Sequence, residues 1–437
     1  MFRLLTRASV RLVERYLPDP YIFVLLLTII AAIAAMVVQQ TTPLALMRMW
    51  GDGFWGLLVF AMQMLLVLLT GHMLASTPLV RGLLTRLAST AKSAGGAIIL
   101  VTVVSLAASW INWGFGLVVG ALFAKEIARQ VRVDYKLLVA SAYSGFLIWH
   151  GGLAGSVPLT IATKGHFAEE KMGVIGTGDT IFAFFNLALV LILFVVVPLV
   201  NRMMLPPESE SVYVDPKLLE EPDDDPTLTD HRPADKLENS RVLAWIVGFS
   251  GIAYLFDYYI IKQGGLNLNV INFMFLMLAI VLHGSPRRML ISLAEAIKGG
   301  GGIVIQFPFY AGIMAIMIQS GLAATLSEWM VSFATAKTLP FWTFISAGIV
   351  NMFVPSGGGQ WAVQSPVVIE AVQALDADMA RAAMAVAWGD AWTNMLQPFW
   401  ALPVLAIAGL KAKDIMGYCL IQLIVSGVII SIGLTWF

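Results

Sequence analysis

The chain has 437 residues, of which 59% are hydrophobic and 12% charged, with a mean hydropathy of +0.82. Soluble domains carry about a quarter charged residues, so a water-soluble globular fold is excluded and an all-α polytopic membrane protein is expected. The 27 Lys and Arg balance the 27 Asp and Glu without forming a basic cluster, which argues against a nucleic-acid partner, and the one cysteine, Cys419, excludes a disulfide framework and a cysteine-based metal site.

In chain order, residues 1–20 interleave Arg3, Arg7, Arg11 and Arg15 with Leu4, Leu5, Val10, Leu12 and Val13, which predicts a short amphipathic helix on the cytoplasmic surface. The apolar run Tyr21–Val38 exceeds a signal-peptide core and reads as the first membrane helix. Further spans are expected near 57–75, 180–200, 241–261, 269–284, 300–320 and 415–436. Segments 78–92 and 322–337 carry Arg81, Arg86, Glu328 and Trp329 on helical patterns and read as interfacial. Residues 201–240 are polar and acidic, a cytoplasmic linker. The run Gly299–Gly302 lacks the Lys and Ser/Thr of a phosphate loop and reads as close packing or a hinge.

Four apolar stretches are interrupted. About 96–129 and 340–375 break at Ser109, Asn112, Trp113, Gly114 and at Ser356, Gly357, Gly358, Gly359, Gln360, Trp361, and read as re-entrant hairpins. About 137–163 and 380–409 are of spanning length but break at His150, Gly151, Gly152, Ser156 and at Asp390, Trp392, Thr393, Asn394. Backbone left unpaired in lipid costs several kcal/mol per group, so such breaks face protein or a polar cavity.

The interruptions recur at a nearly constant offset: Lys92 with Lys337, Trp113 with Trp361, Gly145 with Gly389, Pro158 with Pro403. The chain therefore reads as repeat 1 (21–200), the linker, one linking span (241–261) and repeat 2 (265–437), each repeat holding about four spans and one hairpin, about nine spans plus two hairpins in all. An odd linking helix turns the second repeat upside down. Starting inside, this topology puts about 21 of the 27 basic residues on the cytoplasmic side, with the N-terminus cytoplasmic and the C-terminus periplasmic.

Hairpin tips and half-helix N-termini present oriented N–H groups to an anion, so Ser109, Asn112, Trp113, Gly114, Ser356 to Trp361, Trp392, Thr393 and Asn394 are candidates for substrate binding. Trp110 and Trp400 add to the apolar walls expected around a short carbon chain. Freed carbonyls at the breaks would hold a cation. Intramembrane ionisable groups are functional suspects, which singles out Asp390 for ion coupling, with His150, Gly151, Gly152 and Ser156 in the other half; Na+ at Asn112, Asn394 and Ser356, or H+, is the coupling ion, and no other cofactor is expected. An intramembrane hydrolase using His150 with Ser144 or Ser156 is the rival from another class, although neither serine sits in a Gly-x-Ser-Gly signature.

With Asn112-Trp-Gly-Phe-Gly, Trp149-His-Gly-Gly, Ser356-Gly-Gly-Gly-Gln-Trp361 and Gly389-Asp-Ala-Trp-Thr-Asn394 on the page, the chain resembles the bacterial short-chain fatty acid uptake family, associated with acetoacetate and butyrate. More distantly it is similar to the ion-transporter superfamily of dicarboxylate/sodium symporters and p-aminobenzoyl-glutamate transporters. The resemblance implies ion-coupled transport of short-chain monocarboxylates in the bacterial inner membrane, a homodimer, and a transport domain that moves against a scaffold. Dicarboxylate symporters carry Ser-Asn-Thr at their hairpin tips; this chain has Ser109 with Asn112 and Ser356 with Gln360. Another small organic anion, dicarboxylate or aminobenzoyl-type, is the alternative substrate.

Overall fold

The computed structural model describes residues 2–16, 20–166, 168–214, 232–264, 268–355 and 357–436, and all regular structure among them is helical. The first half contains α1 (Phe2–Tyr16), α2 (Pro20–Val38), α3 (Pro43–Gly53), α4 (Leu58–Ala75), α5 (Pro78–Ala88), α6 (Ala94–Ile111), α7 (Trp113–Gln130), α8 (Tyr135–Tyr143), α9 (Ser156–Ile161), α10 (Glu169–Met172) and α11 (Phe184–Met203). After the short α12 (Pro233–Glu238) and α13 (Arg241–Phe256) come α14 (Leu268–His283), α15 (Pro286–Ala296), α16 (Gly301–Gln319), α17 (Leu322–Val331), α18 (Leu339–Asn351), α19 (Gly357–Leu375), α20 (Met379–Thr393), α21 (Pro398–Ala408) and α22 (Ala412–Trp436).

Local sequence sets many of these boundaries. Thr42 and Ser285 cap α3 and α15 through their hydroxyls, each followed by proline at the first helical position. Asp134 and Asp378 cap α8 and α20 by accepting from Leu137 N (2.7 Å) and Arg381 N (3.0 Å). Each cap contributes about 1 kcal/mol. The sequence reading did not anticipate α3 and α15, because they are too short and too amphipathic to register as spans. Yet they fit the repeat: α3 and α15, α4 and α16, α5 and α17, α6 and α18 begin 243 to 245 residues apart.

Six described helical segments are long and apolar enough to cross a membrane, or seven if α4 and α5, which meet at 79°, form one bent span. The other apolar helices, α14, α16, α18 and α19, are shorter on this test. Burial separates core from periphery. The most apolar window of residues 135–161 is 89% buried inside the protein, whereas those of Tyr21–Val38 and Pro233–Ile261 are 22% buried and present Ile, Leu and Val outward, as lipid-facing helices do.

The two broken segments lie antiparallel. At one end Tyr135 Oη donates to Ala408 O (2.9 Å) and Lys136 Nζ lies 3.0 Å from Asp414. At the other, Gln373 Nε2 just before α20 donates to Lys171 O (3.1 Å) beyond α9. Between them Tyr143 Oη donates to Asn394 O (2.5 Å). The same ends order the flanking helices, since Arg381 at the start of α20 stacks on Phe185 at the start of α11 and reaches Leu434 O near the end of α22.

The C-terminal bound of α11 differs from the sequence reading. Helix α11 runs on through Asn201 to Met203, because Asn201 is fully buried and its amide donates to Thr102 Oγ1 (3.0 Å) and Ser144 Oγ (2.9 Å) while its oxygen accepts from Gln422 (2.8 Å). The linker therefore starts three residues later; its central acidic tract lies outside the described residues. Helix α1 is docked on α22, with Ser9 Oγ donating to Gly417 O (2.6 Å).

Candidate substrate and ion site

The first break follows α8. Residues Ser144–Gly151 wind as a 3₁₀ helix of eight residues, where such runs seldom exceed three or four, and the chain then opens through Gly152 to Gly155 before α9. Small residues allow this because other backbone comes close: a Cβ on Gly152 would overlap Trp110 O, and one on Gly145 the backbone of Ser105. Trp110 O, at the end of α6, accepts from Leu153 N (2.8 Å). The freed Gly151 O accepts from Asn186 Nδ2 (2.9 Å), and Asn186 Oδ1 accepts from Trp388 Nε1 (3.0 Å). One asparagine on α11 thus ties the first break to the helix that carries the second.

The second break follows α20. A 3₁₀ turn, Asn394–Leu396, leads to extended Gln397, and Pro398 restarts the helix at the position where a missing N–H does no harm. Asn351, the last residue of α18, braces it: Nδ2 donates to Asp390 O (2.9 Å), Thr393 Oγ1 (2.9 Å) and Asn394 Oδ1 (2.7 Å), while Asn351 O accepts from Gln397 Nε2. Replacing Asn351 with Ala leaves the buried Asn394 Oδ1 without its donor, at about 1–3 kcal/mol, and opens a cavity beside the break. Asn351→Ala is therefore expected to lower the thermal unfolding midpoint clearly; an unchanged midpoint in a thermal-shift assay would refute the brace.

The breaks meet at two ionisable side chains with no solvent exposure, His150 and Asp390, whose Nδ1 and Oδ1 are 3.3 Å apart. The approach is too bent to count as a hydrogen bond, so the contact is electrostatic rather than directional. His150 Nε2 accepts from Val157 N (3.2 Å), which places the imidazole proton on Nδ1 and leaves the ring neutral. Asp390 Oδ1 accepts from Asn394 Nδ2 (3.3 Å), and its Oδ2 has no partner among the described residues. A carboxyl group this deep needs its proton or a cation, because a neutral histidine does not compensate a buried negative charge.

Beside this pair, Asn351 Oδ1, Gln397 Oε1 and the indole N–H of Trp149 are buried and have no partner among the described residues. Buried polar atoms are normally satisfied, so these orphans make the junction a candidate place for something else to bind.

Aromatic rings form one wall. Trp113, first residue after the α6–α7 turn, meets Trp400 (centroids 5.5 Å apart) and Trp149 (6.0 Å); Phe146 stacks on Trp149 (5.7 Å, 6° between planes), and Trp149 stacks on His150 (3.9 Å). From the other side Gly357, the first residue of α19, lies so close that a Cβ there would stand 2.5 Å from His150 Cε1 and 3.3 Å from Ser156 Cβ. One turn from each helix pair therefore reaches the same break.

The predicted site residues divide accordingly. Trp113, His150, Gly151, Gly152, Ser156, Gly357, Asp390, Thr393 and Asn394 lie in this junction. Asn112 caps α7, its Oδ1 accepting from Phe115 N (3.0 Å), and Asn394 Oδ1 accepts from Asn351, so two of the three side-chain oxygens proposed for Na+ are engaged within the protein. Ser356 lies outside the described residues. Ser109 packs against Gly116 between α6 and α7, and Gly114 is buried beside it. Gly358 and Gly359 are half-buried, and Gly358 faces open space. Gln360 turns its amide to Ala347 O (2.7 Å) and Gln364 (2.8 Å), and Trp361 is buried. Trp392 turns away, stacking on Phe344 and donating to Leu423 O (2.7 Å) of α22. Tyr143, Asn186, Asn351 and Trp388 were not singled out from sequence; the only signal was polar or indole groups in otherwise apolar helices.

A family model described as short chain fatty acid transporter matches residues 1–437. The chain belongs to that family. It is 48% identical over 436 residues to an Escherichia coli (strain K12) protein provisionally named as a short-chain fatty acid transporter, with 99% of each chain covered. A Haemophilus influenzae relative with the same provisional name is 44% identical over 447 residues, again with 99% of each covered. Among solved structures it is similar to the Alcanivorax borkumensis YdaH transporter (17% identity, 95% of this chain and 98% of that one, TM-score 0.45) and to Neisseria gonorrhoeae MtrF (16%, 97% of each, TM-score 0.40). The family is one of transporters, not enzymes. In keeping with this, the His150 nitrogen that a hydrolase would turn toward serine is taken by a backbone N–H.

Proposed function

We propose that this protein carries short-chain monocarboxylates such as acetoacetate or butyrate across the bacterial inner membrane, coupled to H+ or Na+, by alternating access. The observation that supports it most is the junction itself: two antiparallel broken helices and two helix turns converge on a buried carboxyl group that a neutral histidine leaves uncompensated. In this reading α6–α7 and α18–α19 are re-entrant hairpins opening to opposite faces, and the halves form an inverted repeat whose two gates flank one site. The indole N–H groups of Trp149 and Trp361 and the backbone N–H groups at the start of α19 would receive the carboxylate, and Trp113, Phe146 and Trp400 would enclose a short chain while excluding a long one. Asp390 would take the coupling cation with Asn351 and Gln397 oxygens nearby. A moving body of α6–α11 and α18–α22 against a dimeric scaffold, with the N-terminus cytoplasmic and the C-terminus periplasmic, completes the proposal.

Proteoliposome uptake of two- to six-carbon acids under imposed proton or sodium gradients tests it. Accumulation of three- to five-carbon monocarboxylates above the equilibrium level under one gradient, with dicarboxylates excluded, is the expected result. Accumulation that ignores both gradients would remove the coupling, and preference for dicarboxylates would move the substrate class. Cysteine labelling that places residues 92 and 337, at the open ends of the two hairpins, on the same face of the membrane would remove the inverted repeat.

A further inference from the structure

Helix α1 presents three distinct faces; among the described residues one packs on the rest of the chain and a second touches it only through Arg7. Thr6 and Ser9 are buried, and Val10 lies against Gly417; with Val13 they share one side of a helix at 3.6 residues per turn. Next around the cylinder come Leu5, Leu12 and Tyr16, which are 54%, 53% and 68% exposed. The remaining arc holds the arginines, four residues apart. Arg7 pairs with Glu210 (2.7 Å), whereas Arg11 and Arg15 are exposed, Arg15 folding over the Tyr16 ring and Leu4 (65% exposed) standing between them. The sequence of α1 also holds Arg3 and Glu14, which cancel in its net charge. Exposed Lys411 and Lys413 stand within two turns of Gly417, at the start of the helix on which α1 is docked.

A leucine face beside a cationic face, both exposed on a helix already held by a third face, matches the boundary between acyl chains and headgroups. We propose that α1 binds anionic phospholipid headgroups of the adjacent leaflet through Arg11 and Arg15, with Leu5, Leu12 and Tyr16 set into the acyl region, and so pins α22 to the membrane surface. A soluble acidic partner would satisfy the arginines but leave the leucines in water, and a neutral bilayer would do the reverse. Because α22 bonds Trp392 through Leu423 O and Asn201 through Gln422, this anchor holds the body that contains the broken helices. The inference needs only membrane residence, not the proposed substrate or coupling.

Hydrogen exchange of residues 2–16 in the full-length protein tests it, in nanodiscs of phosphatidylcholine alone and with phosphatidylglycerol. Phosphatidylglycerol is expected to slow exchange of these amides by about tenfold, and half-molar salt to remove the difference, since screening acts on exposed charge. Arg11→Gln/Arg15→Gln should lose the lipid dependence while its exchange in phosphatidylcholine, and across the rest of the chain, matches the parent. Equal protection of the parent in both lipids, or lipid dependence that survives in the double variant, would overturn the proposal. A variant whose whole exchange map changes is replaced by the single variant Arg15→Gln, read against the same two outcomes.

Discussion

Asp390→Asn is expected to abolish gradient-driven accumulation in proteoliposomes, by at least about tenfold and down to protein-free vesicles, while the folded protein survives. The cause is the neutral state of His150. Its Nε2 accepts a backbone N–H, so the buried carboxyl beside it depends on a proton or a metal cation for charge balance. Asparagine keeps an oxygen for Asn394 and a similar volume but cannot exchange a proton or offer a full charge. Removing an uncompensated buried charge does not destabilise, so the thermal midpoint should hold or rise by a few degrees. Retained accumulation with this variant would take Asp390 out of the coupling step, and the uptake assay, run beside a thermal-shift measurement, separates that outcome from misfolding.

The second large effect is expected at Gly357. A methyl there would stand 2.5 Å from His150 Cε1, and the imidazole cannot retreat because it is stacked on Trp149 at 3.9 Å and held at Nε2 by Val157. Overpacking of this kind costs about 1–3 kcal/mol, and here it acts on the seating of the α19 turn against the first break. Gly357→Ala should therefore reduce uptake by about tenfold or more and lower the midpoint by a few degrees. Its neighbour supplies the comparison: nothing lies within 4 Å of a Cβ on Gly358, so Gly358→Ala should leave the midpoint unchanged or slightly raised, since alanine is the better helix former. Equal thermal loss at both positions would mean that the turn tolerates no side chain for backbone reasons, and the proposed contact with His150 would fall.

These two positions also show why paired helix breaks are useful to a carrier. A break frees backbone groups for binding, yet each freed group must be held when nothing is bound. Asn186 does this for Gly151 O from outside the first broken helix, and at the second Asn351 holds Asn394 Oδ1 through its amide and Gln397 through its carbonyl. Both asparagines sit on neighbouring helices rather than on the broken ones, so movement of α11 or α18 would alter the breaks directly.

Much of this was legible in the sequence because bilayer physics restricts what a chain can do. Hydropathy marked the chain as a multi-span helical membrane protein, and Gly, Pro and amide groups inside apolar stretches marked the four interruptions, since unpaired backbone is too costly to leave in lipid. Recurrence at a constant offset pointed to two related halves, and the family followed from the same residues. What the sequence could not decide was which side chains meet. His150 and Asp390 are 240 positions apart and touch only because the two broken segments run antiparallel; Trp392, equally aromatic and equally near the break, turns toward α22 because Gly348 and Gly427 make room for its ring. Periodicity assigns a residue to a helix face, but the partner of that face is set by packing across the whole molecule, and only the tertiary structure contains it.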